Sequence, residues 1–445
     1  MGDASAAAIA APPPDSARRD ARTIAIVSLA HGASHFSQLL LAPLFPWIRE
    51  AMALSYAELG LLMTVFYVFS GFAQAAAGFV VDRVGAVPVL LGALALFALA
   101  ALGLSLSVSY PMMLAFSGLA GLANSPFHPV DFSIINARVT PNRLGRAYAV
   151  HGICGNLGWA AAPVFLVGIA GTAGWRAALA GAAVLLVLVL LIVWYYRALL
   201  VDADRRPAQA QAHGQASAQV SAHAPGGGGK GASGAAQPGH RSGEADGQFA
   251  FLRLPAVWMS FGFFFAAASM LSGVQSFGPE SARQLHDVSL ELVGVCLTAF
   301  MLASALGMLV GGVVAADANR AERVIGWSFG AAALVALMVG YSGWPGWTVP
   351  VLFAVMGFGA GIAGPSRDLL VRRATPPGAT GRVYGMVYSG LDVGAAVAPA
   401  VFGVLMDRGQ PALIWAGIAL FQVLMIASAL NIGRLTGRRA ATRPA

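Results

Sequence analysis

Long apolar segments recur along this chain of 445 residues and alternate with short polar ones. A helix of about 20 apolar residues crosses the hydrocarbon core of a bilayer, so each such window predicts one membrane-spanning helix. The windows, twelve in all, are 23–47, 56–80, 86–107, 110–137, 144–169, 173–196, 255–279, 288–315, 322–342, 346–372, 380–405 and 411–433. The pattern predicts an all-α membrane protein with twelve transmembrane helices.

One polar stretch, about 201–249, is much longer than the others. It is rich in Gly, Ala, Gln, Ser, His and Pro. Because it offers little apolar surface to bury, we expect a flexible linker between two bundles of six helices. The predicted organisation is a cytoplasmic tail (1–22), a first six-helix bundle (23–197), a cytoplasmic linker (198–252), a second six-helix bundle (253–433) and a cytoplasmic tail (434–445).

Composition agrees with a protein dissolved in lipid. Hydrophobic residues make up 58% of the chain, charged residues only 10%, and the mean hydropathy is +0.71. Soluble chains carry about a quarter charged residues. The net charge of +8 lies in short segments between apolar runs, so we expect the lipid bilayer as a partner and no nucleic acid. Two cysteines in different halves do not indicate a disulfide framework.

The arginines are distributed unequally between alternate connecting segments. If the N-terminus is cytoplasmic, most of them fall on the inner side, and only Arg49, Arg176, Arg283 and Arg408 fall on the outer side. This asymmetry follows the positive-inside rule. It predicts an even number of spans with both termini in the cytoplasm.

An internal repeat relates the two predicted bundles. Residues 145–163 (GRAYAVHGICGNLGWAAAP) and 381–399 (GRVYGMVYSGLDVGAAVAP) are identical at seven of nineteen aligned positions, where composition alone would give about two. A second pair, 55–80 and 289–314, aligns at nearly the same offset, 234 against 236. The chain is therefore predicted to contain one six-helix unit twice in the same orientation, related by a pseudo-twofold axis.

Two motifs resemble the major facilitator superfamily. After the second span, Gly78, Asp82, Arg83 and Gly85 are similar to its cytoplasmic loop motif, in which a carboxylate and an arginine latch helix ends. The fifth span is similar to a glycine and proline motif of its exporters through Gly152, Gly155, Gly158 and Pro163. The resemblance implies the major facilitator fold, alternating access, and gating roles for Asp82 and Arg83.

Further motifs resemble the fosmidomycin-resistance group of exporters within that superfamily. They are Ser34-His35 with Gln38, Phe127-His128-Pro129, and Gly155-Asn156-x-Gly158. The acid expected directly after the His-Pro pair is displaced by one residue, to Asp131. This resemblance implies a monomer in a bacterial inner membrane that exports a drug or small metabolite.

Polar residues inside the predicted spans are candidates for a site, because charge at mid-bilayer requires a partner or a wet cavity. His31, His35 and Gln38 follow spacings of four and three and share one helical face. The residues Asn124, His128 and Asp131 repeat this spacing in the fourth span. Two alternatives remain open: buried histidines often serve packing only, and Asp131 could simply pair with Arg138 or Arg143.

The repeat aligns polar residues of the two halves. Asn156 aligns with Asp392, and His128 aligns with Arg367 when a three-residue difference in loop length is allowed. An arginine keeps its charge, so Arg367 requires an anion, either Asp392, Asp368 or a bound carboxylate or phosphonate. Asp392 could instead carry a proton, since burial favours its neutral form.

The sequence thus predicts a secondary transporter and no enzyme. No nucleotide-binding loop, catalytic triad or set with metal-ligand spacing appears, so we expect no cofactor and no metal site. Proton-coupled efflux is the leading hypothesis. The alternatives are an importer or exchanger of small organic anions and a membrane sensor that no longer transports.

Overall fold

The computed structural model describes residues 16–201, 255–314, 321–374 and 380–441. These residues form fourteen α-helices, and no strand occurs among them. The helices are α1 (Ser16–Gln38), α2 (Phe45–Met52), α3 (Tyr56–Val84), α4 (Ala86–Ser105), α5 (Tyr110–Asn124), α6 (Phe127–Arg138), α7 (Leu144–Tyr195), α8 (Pro255–Ser276), α9 (Gly278–His286), α10 (Leu290–Val314), α11 (Ala321–Tyr341), α12 (Val349–Ala374), α13 (Thr380–Asp407) and α14 (Ala412–Ala441).

The helices account for twelve crossings of a membrane. Ten helical runs are long and apolar enough to span a bilayer. One run, Pro141–Tyr195, contains two crossings because the chain reverses at Gly174, whose φ of 83° suits glycine. Another crossing consists of α5 and α6, which are each too short alone and meet at Pro126. The predicted all-α architecture with twelve spans is confirmed.

Several helix bounds differ from the sequence prediction. The first span begins at Ser16, within the predicted tail, and ends at Gln38, before the short helix α2. Asp20 holds the start of α1 in place by accepting hydrogen bonds from the hydroxyl of Thr140 at 2.7 Å and from Arg143 at 3.0 Å. The predicted linker (198–252) lies outside the described residues from residue 202 onwards.

The two halves meet through two related pairs of helices. In the interface α3 packs against α13, and α7 packs against α10. Gly60 of α3 lies against the main chain of Pro399, and its repeat equivalent Gly294 lies against the main chain of Pro163. Because small residues let helix backbones approach closely, the repeat produces the same close crossing twice. This reciprocity is the pseudo-twofold relation that the sequence predicts.

One end of the bundle is closed by polar contacts between the halves. We call it the Tyr56 end. The carboxylate of Asp407 accepts hydrogen bonds from the main-chain N–H groups of Tyr56 at 2.7 Å and Ala57 at 2.8 Å. The hydroxyl of Tyr56 donates to Glu280 at 2.8 Å and accepts from Gln284 at 2.7 Å. The start of α3 is therefore capped by the opposite half.

The opposite end, which we call the Arg83 end, has a different character. Asp82 and Arg83 are exposed there, and neither forms an ion pair with another described residue. The latch expected from the loop motif is therefore not engaged within the described part of the chain. Among the described residues, polar contacts between the halves therefore occur at the Tyr56 end, whereas Asp82 and Arg83 at the Arg83 end are exposed.

Candidate functional site

Four polar side chains form a hydrogen-bonded chain across the first half, which we call the amide chain. Gln38 of α1 donates to the side-chain oxygen of Asn124 at 3.1 Å, and Asn124 donates to Ser70 of α3 at 2.9 Å. The indole N–H of Trp159 in α7 donates to the side-chain oxygen of Gln38 at 3.1 Å. The amide chain thus links the helices α1, α3, α5 and α7.

Gln38 and Asn124, whose side chains meet, both lie at helix ends. Gln38 is the last residue of α1, and Asn124 is the last residue of α5, just before the break at Pro126. Without the break, the fourth span would continue past Asn124 as one helix, and its main-chain groups would bond within that helix. The break lets α6 start afresh and direct His128 towards α1, where its ring centroid lies 5.5 Å from that of His31.

Four histidines and one aspartate form a second group beside the amide chain, which we call the histidine cluster. It consists of His31 and His35 of α1, His128 and Asp131 of α6, and His151 of α7. The rings of His31 and His151 stack with centroids 3.6 Å apart, and the rings of His31 and His35 are 4.4 Å apart. Trp159 packs on His35 at 4.1 Å and so joins the amide chain to the histidine cluster.

Asp131 is the anion of the histidine cluster. One of its oxygens is 3.0 Å from Nδ1 of His31 and 3.8 Å from Nε2 of His151, and its side chain is fully buried. The expected alternative, a pair with Arg138 or Arg143, does not form: Arg138 donates to the main chain of Leu199, and Arg143 pairs with Asp20. Asp131 therefore serves the interior of the first half rather than its rim.

Several buried polar atoms of the histidine cluster have no hydrogen-bond partner. They are both ring nitrogens of His151, Nδ1 of His35 and Oδ1 of Asp131. A buried polar atom without a partner costs about 1–3 kcal/mol, and each such atom in a native protein calls for an explanation, such as a bound water, a bound ion or a catalytic role. The cluster is thus expensive to maintain as a purely structural core.

Glycines of α7 make room for the histidines. A Cβ atom at Gly155 would lie 2.8 Å from Cε1 of His35 and 3.0 Å from Nε2 of His31. Gly158 lies directly against the main chain of Gly32 in α1. The glycine-rich fifth span therefore brings α1 close enough to α7 for the rings to meet. These glycines pack helices, as small residues in membrane proteins commonly do.

Exposure differs sharply within the histidine cluster. His31, His151 and Asp131 are buried, at 3%, 4% and 0% exposed. His128 is exposed and His35 is partly exposed. Since His128 lies only 5.5 Å from the buried His31, the cluster reaches the protein surface at one ring.

The candidates of the second half are arranged differently. Asp392 of α13 is partly buried and lies against Gly71 of α3, where an added Cβ would be 3.0 Å from the Asp392 Cβ. It therefore sits at the interface of the two halves. Arg367 belongs to α12, but its side chain lies outside the described residues, as does that of Asp368. Asn156 bonds to the main chain of its own helix at Gly152.

The structure thus unites most of the first-half candidates and adds others. The sequence analysis did not select His151, Trp159 or Ser70 as site residues, and it noted His31 only as part of a stripe. His151 lies one helical turn before Gly155, on the face of α7 that packs against α1. That spacing is the one sequence signal that could have identified it.

A small recess adjoins the amide chain. It has room for about one water molecule and is lined by residues of α1, α3, α4 and α5, among them Ser37, Gln38, Met63 and Ser117. A cleft of similar size lies between the halves at the Tyr56 end, beside Gln275 and Glu280. Both are far smaller than sites for drug-sized ligands.

Comparison with known proteins shows a family match over most of the chain. The model of the Major Facilitator Superfamily matches residues 27–281 and 257–444. The "Multidrug resistance protein B homolog" of Mycobacterium tuberculosis, in strains CDC 1551 and H37Rv, is 31% identical over 100 residues. That match covers 22% of this chain and only 18% of each relative's length.

Solved structures share the fold at low sequence identity. A bacterial homolog of the human lysosomal transporter Spinster, described as inward-facing and occupied, superposes with a TM-score of 0.66 at 14% identity, covering 94% of this chain and 97% of that one. The nucleoside transporter NupG superposes with a TM-score of 0.70 at 15% identity, covering 92% and 99%. At such identities the similarity shows the fold alone.

Proposed function

Because the chain belongs to the major facilitator superfamily, we propose that it is a secondary transporter that exports a small drug or metabolite in exchange for protons. Family membership confirms the superfamily resemblance of the sequence motifs and identifies a transporter rather than an enzyme. The substrate class, the direction and the coupling ion are the proposed part. A bacterial inner membrane, cytoplasmic termini and a monomeric state belong to the same proposal.

The observation that supports this proposal is the contrast between the two ends of the bundle. Contacts between the halves close the Tyr56 end, whereas Asp82 and Arg83 stand exposed at the Arg83 end. Alternating access requires two halves that rock about close crossings and seal one end at a time. With the Arg83 end in the cytoplasm, this conformation is the one that accepts a solute from inside.

Asp392 is the carboxylate we assign to proton coupling. It lies at the interface of α3 and α13, against Gly71, and no described side chain forms an ion pair with it. Since the two halves part during transport, the surroundings of Asp392 change with each cycle. A carboxylate in that position can take up a proton in one conformation and release it in the other.

Export of a drug or metabolite is supported by two resemblances. One is the local similarity to the mycobacterial multidrug resistance protein B homolog, and the other is the set of fosmidomycin-resistance motifs around His35, His128 and Asn156. A second candidate function is exchange of a small organic anion. It is favoured by Arg367, a permanent cation inside the span formed by α12.

The test uses purified protein in proteoliposomes with fosmidomycin as the first solute. We expect an imposed pH gradient to drive accumulation by the wild type and to lose its effect in Asp392→Asn, while exchange down the solute gradient persists. Asp287→Asn is the matched control, because Asp287 is exposed and has a φ of 51°, which asparagine tolerates. Transport that ignores the pH gradient in both the wild type and Asp392→Asn would refute proton coupling.

The second candidate is separated by counterflow. Proteoliposomes loaded with unlabelled carboxylates are diluted into labelled carboxylate, and uptake is compared between the wild type and Arg367→Ala. Rapid counterflow that Arg367→Ala abolishes would favour anion exchange. Absence of counterflow together with fosmidomycin transport would favour export.

A further inference from the structure

Three histidines of the histidine cluster form a set of ligands that the sequence spacing conceals. His31, His128 and His151 each offer a ring nitrogen, and these atoms all lie within 4.8 Å of one another. They come from α1, α6 and α7, so the site depends on tertiary packing. Three imidazoles without a thiolate suit Zn²⁺ and the neighbouring divalent metals, whereas Mg²⁺ and Ca²⁺ require oxygen ligands. We propose that His31, His128 and His151 bind a divalent transition-metal ion of the Zn²⁺ class within the first half.

The hydrogen bonding of the histidine cluster fits metal ligation. Nδ1 of His31 is 3.0 Å from Asp131, which leaves Nε2 of His31 available to an ion. Histidine ligands typically direct their second ring nitrogen to a carboxylate in this way, which fixes the ring and raises its basicity. Asp131 also supplies the negative charge that a dication in a buried setting requires.

The unpartnered atoms provide an independent observation. Both ring nitrogens of His151 and Oδ1 of Asp131 are buried and have no hydrogen-bond partner. A metal ion would take the lone pair of one His151 nitrogen. The other nitrogen would then carry a proton and face Asp131, whose Oδ2 already lies 3.8 Å from Nε2. Ion binding therefore provides partners for buried polar atoms that the packing leaves without one.

The site can admit an ion, and its rings can adjust to bind it. His128 is exposed, so an ion can reach the buried rings through it. Zinc is bound at about 2.0–2.1 Å from each nitrogen, so the three rings must draw together from their present spread. The stacked rings of His31 and His151 must turn for this, and His151 has no hydrogen bond to hold it back. The three rings therefore move together when the ion binds.

The test measures metal binding by the full chain, purified with a tag that contains no histidine. After chelator treatment the protein is dialysed against ZnCl₂ or MgCl₂, and the bound metal is counted by elemental analysis. We expect one Zn²⁺ per chain and no Mg²⁺. His128→Ala and His151→Ala should each abolish stoichiometric binding, and Asp131→Asn should weaken it about 10- to 100-fold.

Controls come from the other four of the eight histidines. Both ring nitrogens of His286 already contact main-chain oxygens, of Val339 at 2.6 Å and Trp344 at 3.2 Å. His286→Asn should therefore retain binding, as should the joint replacement of His213, His223 and His240 by alanine. Thermal unfolding identifies variants that fail to fold. If the variants at the buried histidines fail to fold, His128→Ala decides the question, because the His128 side chain is exposed.

Cobalt provides a second readout. Co²⁺ in place of Zn²⁺ should give the intense visible absorption of a low-coordinate site in the wild type, and His128→Ala should lose it. No Zn²⁺ binding by the folded wild type would overturn the proposal. So would binding that survives in folded His128→Ala and His151→Ala, or binding that disappears with the linker histidines.

Discussion

The hydroxyl of Thr64 in α3 donates a hydrogen bond to the main-chain oxygen of Ala396 in α13, at 2.6 Å. The repeat duplicates this contact: Thr298 in α10 donates to the main-chain oxygen of Ala160 in α7, at 2.8 Å. Thr298 is the equivalent of Thr64, and Ala160 is the equivalent of Ala396. The halves are therefore joined by two matching hydrogen bonds, one on each side of the pseudo-twofold axis.

Replacing either threonine by valine should loosen the interface by a similar amount. Thr64→Val and Thr298→Val keep the side-chain shape and remove one hydrogen bond, which in membrane proteins contributes about 0.6 kcal/mol on average. The melting temperature in detergent should fall slightly in each variant and further in the double variant. Thr172→Val is the control, because Thr172 is exposed and bonds only within its own helix. Unequal effects would show that the two contacts are not equivalent.

Asp407→Ala should open the Tyr56 end. It removes the acceptor for two main-chain N–H groups of α3, and loss of a helix cap costs about 0.5–2 kcal/mol. The opening is measured by the reaction of a single cysteine with maleimide. Ser276→Cys places this cysteine in the cleft between the halves, at a residue that is only 3% exposed. The two native cysteines are removed by Cys154→Ala and Cys296→Ala.

The labelling rate should increase several-fold in Asp407→Ala. Glu291→Ala is the control, because Glu291 is an exposed carboxylate near the start of α10. An unchanged rate in Asp407→Ala would contradict the closing role of this carboxylate.

Gly155→Ala should disturb the histidine cluster. The new methyl group would come within 3.0 Å of both His31 and His35, so the rings or α1 must shift, and overpacking of this kind costs about 1–3 kcal/mol. Gly152→Ala, one turn earlier, meets no atom within 4 Å and should be neutral or slightly stabilising. Thermal unfolding measures both. Equal stability of the two variants would indicate that α1 moves away from α7 freely.

Gln38→Leu should break the amide chain. It leaves the Trp159 indole N–H and the Asn124 side-chain oxygen, both partly buried, without their partner, at a cost of about 1 kcal/mol for each lost hydrogen bond. We expect a lower melting temperature and a shift in Trp fluorescence. Gln410→Leu, at an exposed position in the turn after α13, is the control. A fluorescence spectrum identical to the wild type would exclude the Trp159 contact.

The hydrophobic pattern and the internal repeat predicted the fold well, because the lipid bilayer requires every span to be long and apolar. These requirements act on short stretches of sequence, so windows of about 20 residues detect the spans. The exceptions have local causes: the fourth span divides at Pro126, and the fifth and sixth are continuous helix apart from Gly174.

The site was only partly predictable. Helical spacing grouped His31, His35 and Gln38, and it grouped Asn124, His128 and Asp131, because each set lies on one helix. His151 was not predicted, because its contact with His31 depends on how closely α1 approaches α7. No spacing within a single helix encodes a group of histidines assembled from three helices, so the sequence analysis did not bring His31, His128 and His151 together.

The cap that Asp407 places on α3 from the other half has a consequence for observing the protein at work. The amide hydrogens of Tyr56 and Ala57 are held only while that end stays shut. Each time the halves separate there, these two hydrogens meet water and can be replaced by deuterium. Their exchange rate therefore counts openings directly, without any label and before the transported solute is known.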